Sequence, residues 1–324
     1  MTNNLSMADT DDTVTWACCK RGVEETVHLN IYSPPSGDVK LIDIIGDYGG
    51  FVFTDLDKPA ENTFANHNND RWITAMNADY PDINPELLVV TPRGNWKDKT
   101  KGGLILSRDQ GASWEQLSDP VGLTKDIDQL IKDIKRPNVT SGWTEISADG
   151  AAILWVLGFP IYASRLVYTH DFGKTWGKSK VYDLGGNSVS GENLHFKVVS
   201  DRIKADIFYG FSDIKNGEGF YVSVDKGRTF KSLKAPEGFP GVNLAEIDSE
   251  QQYEIRVESG KEGVIWMAMQ QYGLWRLTYS VNSNSFSGER VSAEGDYIKR
   301  IGLQGKYKFC CMIRPSSRRY NPRL

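Results

Sequence analysis

The sequence predicts an all-β fold built from repeated four-stranded antiparallel sheets, and three observations predict it. Aromatic residues are abundant, with 9 Trp, 14 Tyr and 13 Phe, and they accompany 31 Gly in short runs of alternating apolar character. That is the pattern of half-buried strands joined by tight turns. Helical periodicity is confined to Leu123 to Ile134, where Ile127, Leu130, Ile131 and Ile134 recur at intervals of three and four residues and predict one short helix in a loop insertion. The third observation is an octamer that occurs three times without gaps.

Along the chain, Val27, Leu29 and Ile31 alternate as a first strand. Leu41 to Ile45 predicts a second, Gly46-Asp47-Tyr48-Gly49-Gly50 a turn, and Phe51 to Phe53 the returning strand. A carboxylate at a strand end among glycines sits on backbone that can approach a ligand closely. On composition alone Asp47 is either a turn residue or a site residue.

The octamer appears as Ser107-Arg-Asp109-Gln-Gly111-Ala-Ser113-Trp114, then from Thr169 through Asp171 and Gly173 to Trp176, then from Ser223 through Asp225 and Gly227 to Phe230. The pattern is hydroxyl, x, Asp, x, Gly, x, hydroxyl, aromatic. Its aspartates lie 62 and 54 residues apart, about the length of one four-stranded sheet with its connections. Ser285-Phe286 retains the hydroxyl-aromatic pair of a degenerate fourth copy. These segments resemble the Asp-box of sialidase-type β-propellers, which implies an Asp-box (BNR repeat) propeller of four-stranded antiparallel blades. In such a hairpin the Asp accepts backbone N–H bonds, the Gly supplies a positive φ and the aromatic ring packs beneath the loop. Asp109, Asp171 and Asp225 are therefore expected to be structural, one to a blade.

A wider resemblance rests on Gly22-Val-Glu-Glu25, Ile45-Gly-Asp-Tyr-Gly-Gly-Phe51, Asp55-Leu-Asp-Lys-Pro59, Ser147-Ala-Asp-Gly150, Val199-Ser-Asp-Arg202, Trp266 and Gly273-Leu274, in that order. From about residue 20 to residue 303 the chain resembles the second propeller of glycoside hydrolase family 74, the xyloglucan-cleaving hydrolases. The resemblance implies cleavage of a β-1,4-glucan backbone with inversion, for which one carboxyl group protonates the leaving oxygen and a second activates water, about 6.5–9.5 Å away. It assigns the general acid to Asp47, with Tyr48, Gly49 and Gly50 beside it in the substrate turn. In the family the general base lies on a first propeller. No matching turn is found in this chain, so a separate first propeller is the expected partner, alongside the polysaccharide. The matched region holds five or six of the seven blades the family uses and predicts an incomplete propeller, a piece of a larger hydrolase. The alternative is a non-catalytic Asp-box propeller that binds glycan or protein, comparable in outline to sortilin-type receptor domains.

Trp96 and Trp143 sit beside glycines and are candidate platforms for pyranose rings, with packing inside a blade as the competing role. The net charge of −4 argues against nucleic acid as a partner. The apolar runs fall short of the roughly 20 residues a membrane helix needs. The cysteines form adjacent pairs, Cys18-Cys19 and Cys310-Cys311, without metal-ligand spacing, and no cofactor fingerprint is present, so neither metal nor cofactor is expected. The first fifteen residues lack the basic end and apolar stretch of an export signal. Residues 1–19 are expected to be disordered or a remnant, and 304–324 an irregular basic tail.

Overall fold

The computed structural model describes residues 27–65, 71–95, 102–134, 142–192, 194–243, 254–304 and 307–313. They form an incomplete β-propeller. Blade 1 comprises β1 (His28–Tyr32), β2 (Leu41–Ile45), β3 (Gly49–Phe53) and β4 (Asn62–Thr63); blade 2 comprises β5 (Trp72–Asp79), β6 (Leu88–Asn95), β7 (Ile105–Ser107) and β8 (Glu115–Gln116). The helix α1 (Lys125–Ile134) leads to blade 3, made of β9 (Gly142–Ile146), β10 (Ile153–Leu157), β11 (Leu166–Thr169) and β12 (Gly177–Lys178). A further strand, β13 (Lys180–Tyr182), precedes blade 4: β14 (Lys197–Ser200), β15 (Phe208–Lys215), β16 (Glu218–Ser223) and β17 (Thr229–Leu233). Blade 5 is β18 (Glu254–Val257), β19 (Val264–Ala268), β20 (Leu274–Ser280) and β21 (Ser285–Arg290), followed by the antiparallel pair β22 (Tyr297–Gln304) and β23 (Tyr307–Ile313). Within each blade the strands pair antiparallel in chain order, while β13 adds to blade 4 in parallel, Lys180 opposite Thr229. The strand Tyr307–Ile313 corrects the expectation of an irregular tail from residue 304; residues 314–324 and 1–19 lie outside the described residues.

The core is a series of layers between successive blades, because side chains of one strand alternate between its two faces. Leu88 and Val90 join Ile42, Ile44, Val52 and Trp72 between blades 1 and 2, while Leu87 and Val89 face Ile153, Trp155 and Leu157 between blades 2 and 3. Leu154 and Val156 then turn the other way, onto Phe196 and Val198 of blade 4. A strand buried on both faces needs no polar alternation, so β10 is the unbroken run ILWVL with every residue buried. Helix α1 starts two residues later than its periodicity suggests, after Thr124 accepts the Ile127 N–H at 3.2 Å, and it lays Ile127 and Ile131 into the layer around Trp155.

The antiparallel order fixes which turns share a face. The β1–β2 turn and the β7–β8, β11–β12, β16–β17 and β20–β21 turns lie on one side of the array. The β2–β3 turn, with Asp47, lies on the other, along with the connections between blades.

Candidate functional site

All three octamers fold into the same loop on the first of these faces. In blade 2 the Ser107 hydroxyl donates to Asp109 Oδ1 (2.8 Å) and accepts the Gly111 N–H (2.7 Å), while Asp109 accepts the Ser113 N–H (2.8 Å) and its hydroxyl (2.5 Å). Asp171 makes the equivalent bonds with Thr169 and Thr175, and Asp225 with Ser223 and Thr229. Gln110, Phe172 and Lys226 take positive φ with the glycine that follows each. That glycine sits against the preceding blade: an added Cβ would lie 2.7 Å from Val52 at Gly111, 3.1 Å from Leu117 at Gly173 and 2.5 Å from Leu154 at Gly227. The octamer is thus a turn and a blade-to-blade latch at once. Its hydroxyl donors hold the Asp171 carboxyl down at about 2, chiefly through the Thr175 side chain.

Asp47 is bound differently. Gly46, Asp47 and Tyr48 link the paired residues Ile45 and Gly49, and Asp47 takes φ 64°. Its backbone N–H donates to Thr74 Oγ1 of β5 at 3.0 Å. Asp47 and Tyr48 are exposed, and among the described residues nothing bonds the Asp47 carboxylate. Among the described residues the carboxyl group is therefore unbonded, on the face opposite the octamer aspartates, whose carboxylates are bonded within their own loops.

The other sequence candidates divide. Tyr48, 51% exposed, shares the face of Asp47. Gly49 and Gly50 are buried and correct the expectation that they touch substrate: a Cβ on Gly49 (φ 78°) would lie 2.2 Å from the Trp72 carbonyl oxygen, and one on Gly50 2.3 Å from that of Asp43. Gly49 lets blade 2 close behind the turn, and Gly50 makes room within blade 1 for the Asp43 carbonyl and the Phe64 ring. Trp143 is also corrected. It is 6% exposed, its indole N–H donates to the Val198 carbonyl at 2.9 Å and the Lys197 ammonium lies over its ring, so it offers no face to a sugar. Trp96 lies outside the described residues. Sequence reasoning missed Thr74, which no local pattern connects to Asp47, and the exposed Phe159 of the β10–β11 turn on the same face. An aromatic residue between Gly158 and Pro160 was the available signal for Phe159.

Behind this face the axis is polar. Inner strands have an unpaired edge, and side chains of the neighbouring blade satisfy its N–H groups. Asn77 and Asp79 of β5 accept the N–H groups of Thr144 (2.7 Å) and Ile146 (2.8 Å) of β9. Glu145 of β9 accepts that of Ser200 in β14 at 3.0 Å, and Glu254 of β18 accepts that of Ile301 in β22 at 3.0 Å. Arg202 reaches back to Asp79 at 2.7 Å and to the Tyr80 carbonyl at 2.8 Å. Burial, and then the Asp79 charge, push the Glu145 carboxyl well above the usual range. A cavity of ≈ 590 Å³ opens between β1 and β22, with Tyr32, Arg256 and Arg300 in its wall; Asp47 does not line it. No cluster that could hold a metal ion exists among the described residues, and none of their helices is long and apolar enough to cross a membrane.

An incomplete β-propeller with an exposed aspartate turn on the face opposite its hydroxyl-bound aspartates is the class that fold and site define. Comparison with known proteins narrows it. A xyloglucanase of Paenibacillus sp is 29% identical over 286 residues, 86% of this chain and 23% of that protein. Xyloglucanase Xgh74A of Acetivibrio thermocellus is 30% identical over 254 residues, 78% of this chain and 24% of that protein. The oligoxyloglucan-reducing end-specific xyloglucanase of Emericella nidulans is 26% identical over 300 residues, 90% of this chain and 34% of that protein. The solved GH74 xyloglucanase from Xanthomonas campestris shares the fold with a TM-score of 0.59 at 22% identity, over 86% of this chain and 33% of that one. No family model matches. The chain is a relative of the family 74 xyloglucanases over most of its length, and it spans about a quarter of the length of the first two curated relatives.

Proposed function

We propose that the chain supplies the general-acid half of an inverting xyloglucan hydrolase, with Asp47 donating the proton to the departing glycosidic oxygen. The observation that carries the reading is the Asp47 carboxylate on an exposed turn, unbonded among the described residues, in contrast to the bound octamer aspartates. The xyloglucanase relatives support the substrate class, xyloglucan. Tyr48 and Phe159 on the same face would lie against sugar rings. A general acid must keep its proton near working pH, which burial or a neighbouring carboxylate provides. Asp47 is exposed, so that cover would come from the bound glucan and from an opposing propeller that also brings the general base. The octamers, as Asp-box turns, would serve only as latches.

The test is xyloglucan hydrolysis by the chain alone and by the chain mixed with a family first propeller, with the anomer of the new reducing end read by NMR. Inverted product is expected only from the mixture. Asp47→Asn should lower its rate by about 10²–10⁴-fold while leaving the melting temperature within a degree or two, as suits an exposed side chain. A mixture whose activity survives Asp47→Asn would remove the assignment.

The exposure of Asp47 also favours a second reading, a non-catalytic face that binds glycan. Xyloglucan oligosaccharide binding that persists in Asp47→Asn, without turnover in any mixture, would select it.

A further inference from the structure

Asp47 is not the only strained residue at this turn. Thr74 takes φ 43°, a region that a β-branched side chain occupies only when its surroundings force it there. The cause is local. Ile73 pairs with Arg93 and Ala75 with Pro92, so the register slips and Thr74 bulges out of the β5–β6 ladder opposite a proline, which has no N–H to offer. The bulge redirects the Thr74 hydroxyl across the boundary between blades, where Oγ1 accepts the Asp47 N–H at 3.0 Å. Asp47 itself has φ 64°, so two non-glycine residues in the left-handed region are tied by one hydrogen bond. Around them the turn has little freedom to move: Gly49 abuts the Trp72 carbonyl, and the Gly46 N–H donates to the Val27 carbonyl at 2.9 Å.

We propose that Thr74 is the positioning residue for Asp47: the bulge in blade 2 places its hydroxyl so as to hold the blade 1 turn in the left-handed conformation that directs the carboxyl group away from the sheet. The catalytic consequence rests on the reading of Asp47 as general acid; the hold on the turn does not. Strain is spent on orientation, the arrangement expected where a proton must be delivered along a fixed line.

Three variants of the full chain separate the contributions. Thr74→Val keeps the branched shape and removes the acceptor, Thr74→Ser keeps the acceptor, and Thr74→Gly relieves the φ while removing the acceptor. Solvent exchange of the Asp47 amide, read by NMR, should quicken about fivefold in Thr74→Val and Thr74→Gly, the loss of one ordinary hydrogen bond, and stay near wild type in Thr74→Ser. Thr74→Gly guards against failure of the valine variant to fold. In the mixture with a first propeller, kcat should fall about tenfold in Thr74→Val with KM within twofold, and recover in Thr74→Ser. Unchanged amide exchange in both Thr74→Val and Thr74→Gly overturns the proposal. Faster exchange in a chain whose mixture never hydrolyses xyloglucan upholds the hold on the turn and removes the catalytic reading of Asp47 instead. Faster exchange with an unchanged kcat in an active mixture overturns the positioning role.

Discussion

At the residue scale, four aspartates at strand ends divide by what their oxygens touch. Asp109, Asp171 and Asp225 each accept bonds from two hydroxyls and a backbone N–H, whereas among the described residues Asp47 bonds through its own N–H alone. Asp225→Ala strands those donors and should cost about 1.5–3 kcal/mol, read by urea unfolding. For Asp171 the carboxyl held at about 2 by the Thr175 hydroxyl makes the effect pH-dependent. An Asp in the unfolded chain titrates near 3.9, so the native state binds fewer protons between these values. The stabilisation is complete above about pH 4 and disappears as the pH falls through about 2. Asp171→Asn should therefore flatten the acid limb of the stability curve, measured as unfolding midpoints from pH 6 down to 2.

At the element scale, glycine marks where one blade must touch another. Gly49→Ala combines a Cβ at 2.2 Å from the Trp72 carbonyl with an unfavourable φ of 78°, so it should destabilise by more than about 1 kcal/mol. Because the strain falls on the β3–β5 contact, the Asp47 turn should move with it, visible as shifted amide resonances from Gly46 to Gly50. The β2–β3 hairpin, the octamer turns and α1 were legible from local pattern, since each is fixed by residues close together in the chain. Trp143 was not. A tryptophan after Ser141-Gly142 reads as a loop residue until the neighbouring blade supplies the Val198 carbonyl and the Lys197 ammonium that bury it.

At the scale of the whole molecule, the axis is held by carboxylates that accept the backbone donors of the next blade. Arg202→Ala would leave Asp79 buried without its partner and should cost about 3–5 kcal/mol, measured by thermal unfolding. Glu145 titrates above the ordinary carboxylate range because of burial and the charge of Asp79. Between its unfolded and folded values the native state therefore binds the additional proton, and stability falls as the pH rises through that window. Glu145→Gln, which keeps an acceptor for the Ser200 N–H, should weaken this decline. An unchanged slope of stability against pH above about pH 4.5 would show that Glu145 is not its source.

The sequence by itself determined the blade: its strand rhythm, its octamer turns, the helix of the loop insertion and the turn that carries Asp47. Each depends on backbone preferences and side-chain spacing over a few residues. Only the tertiary structure decided that Gly49 is a spacer between blades and Gly50 one within its own blade, that Trp143 is core, that Tyr307–Ile313 continues the β-structure and that Thr74 meets Asp47. The contacts of Gly49, Thr74 and Trp143 arise between blades, where residues 23 to 55 positions apart become neighbours. Close packing and the pairing of buried polar groups then determine which side chains remain free for chemistry.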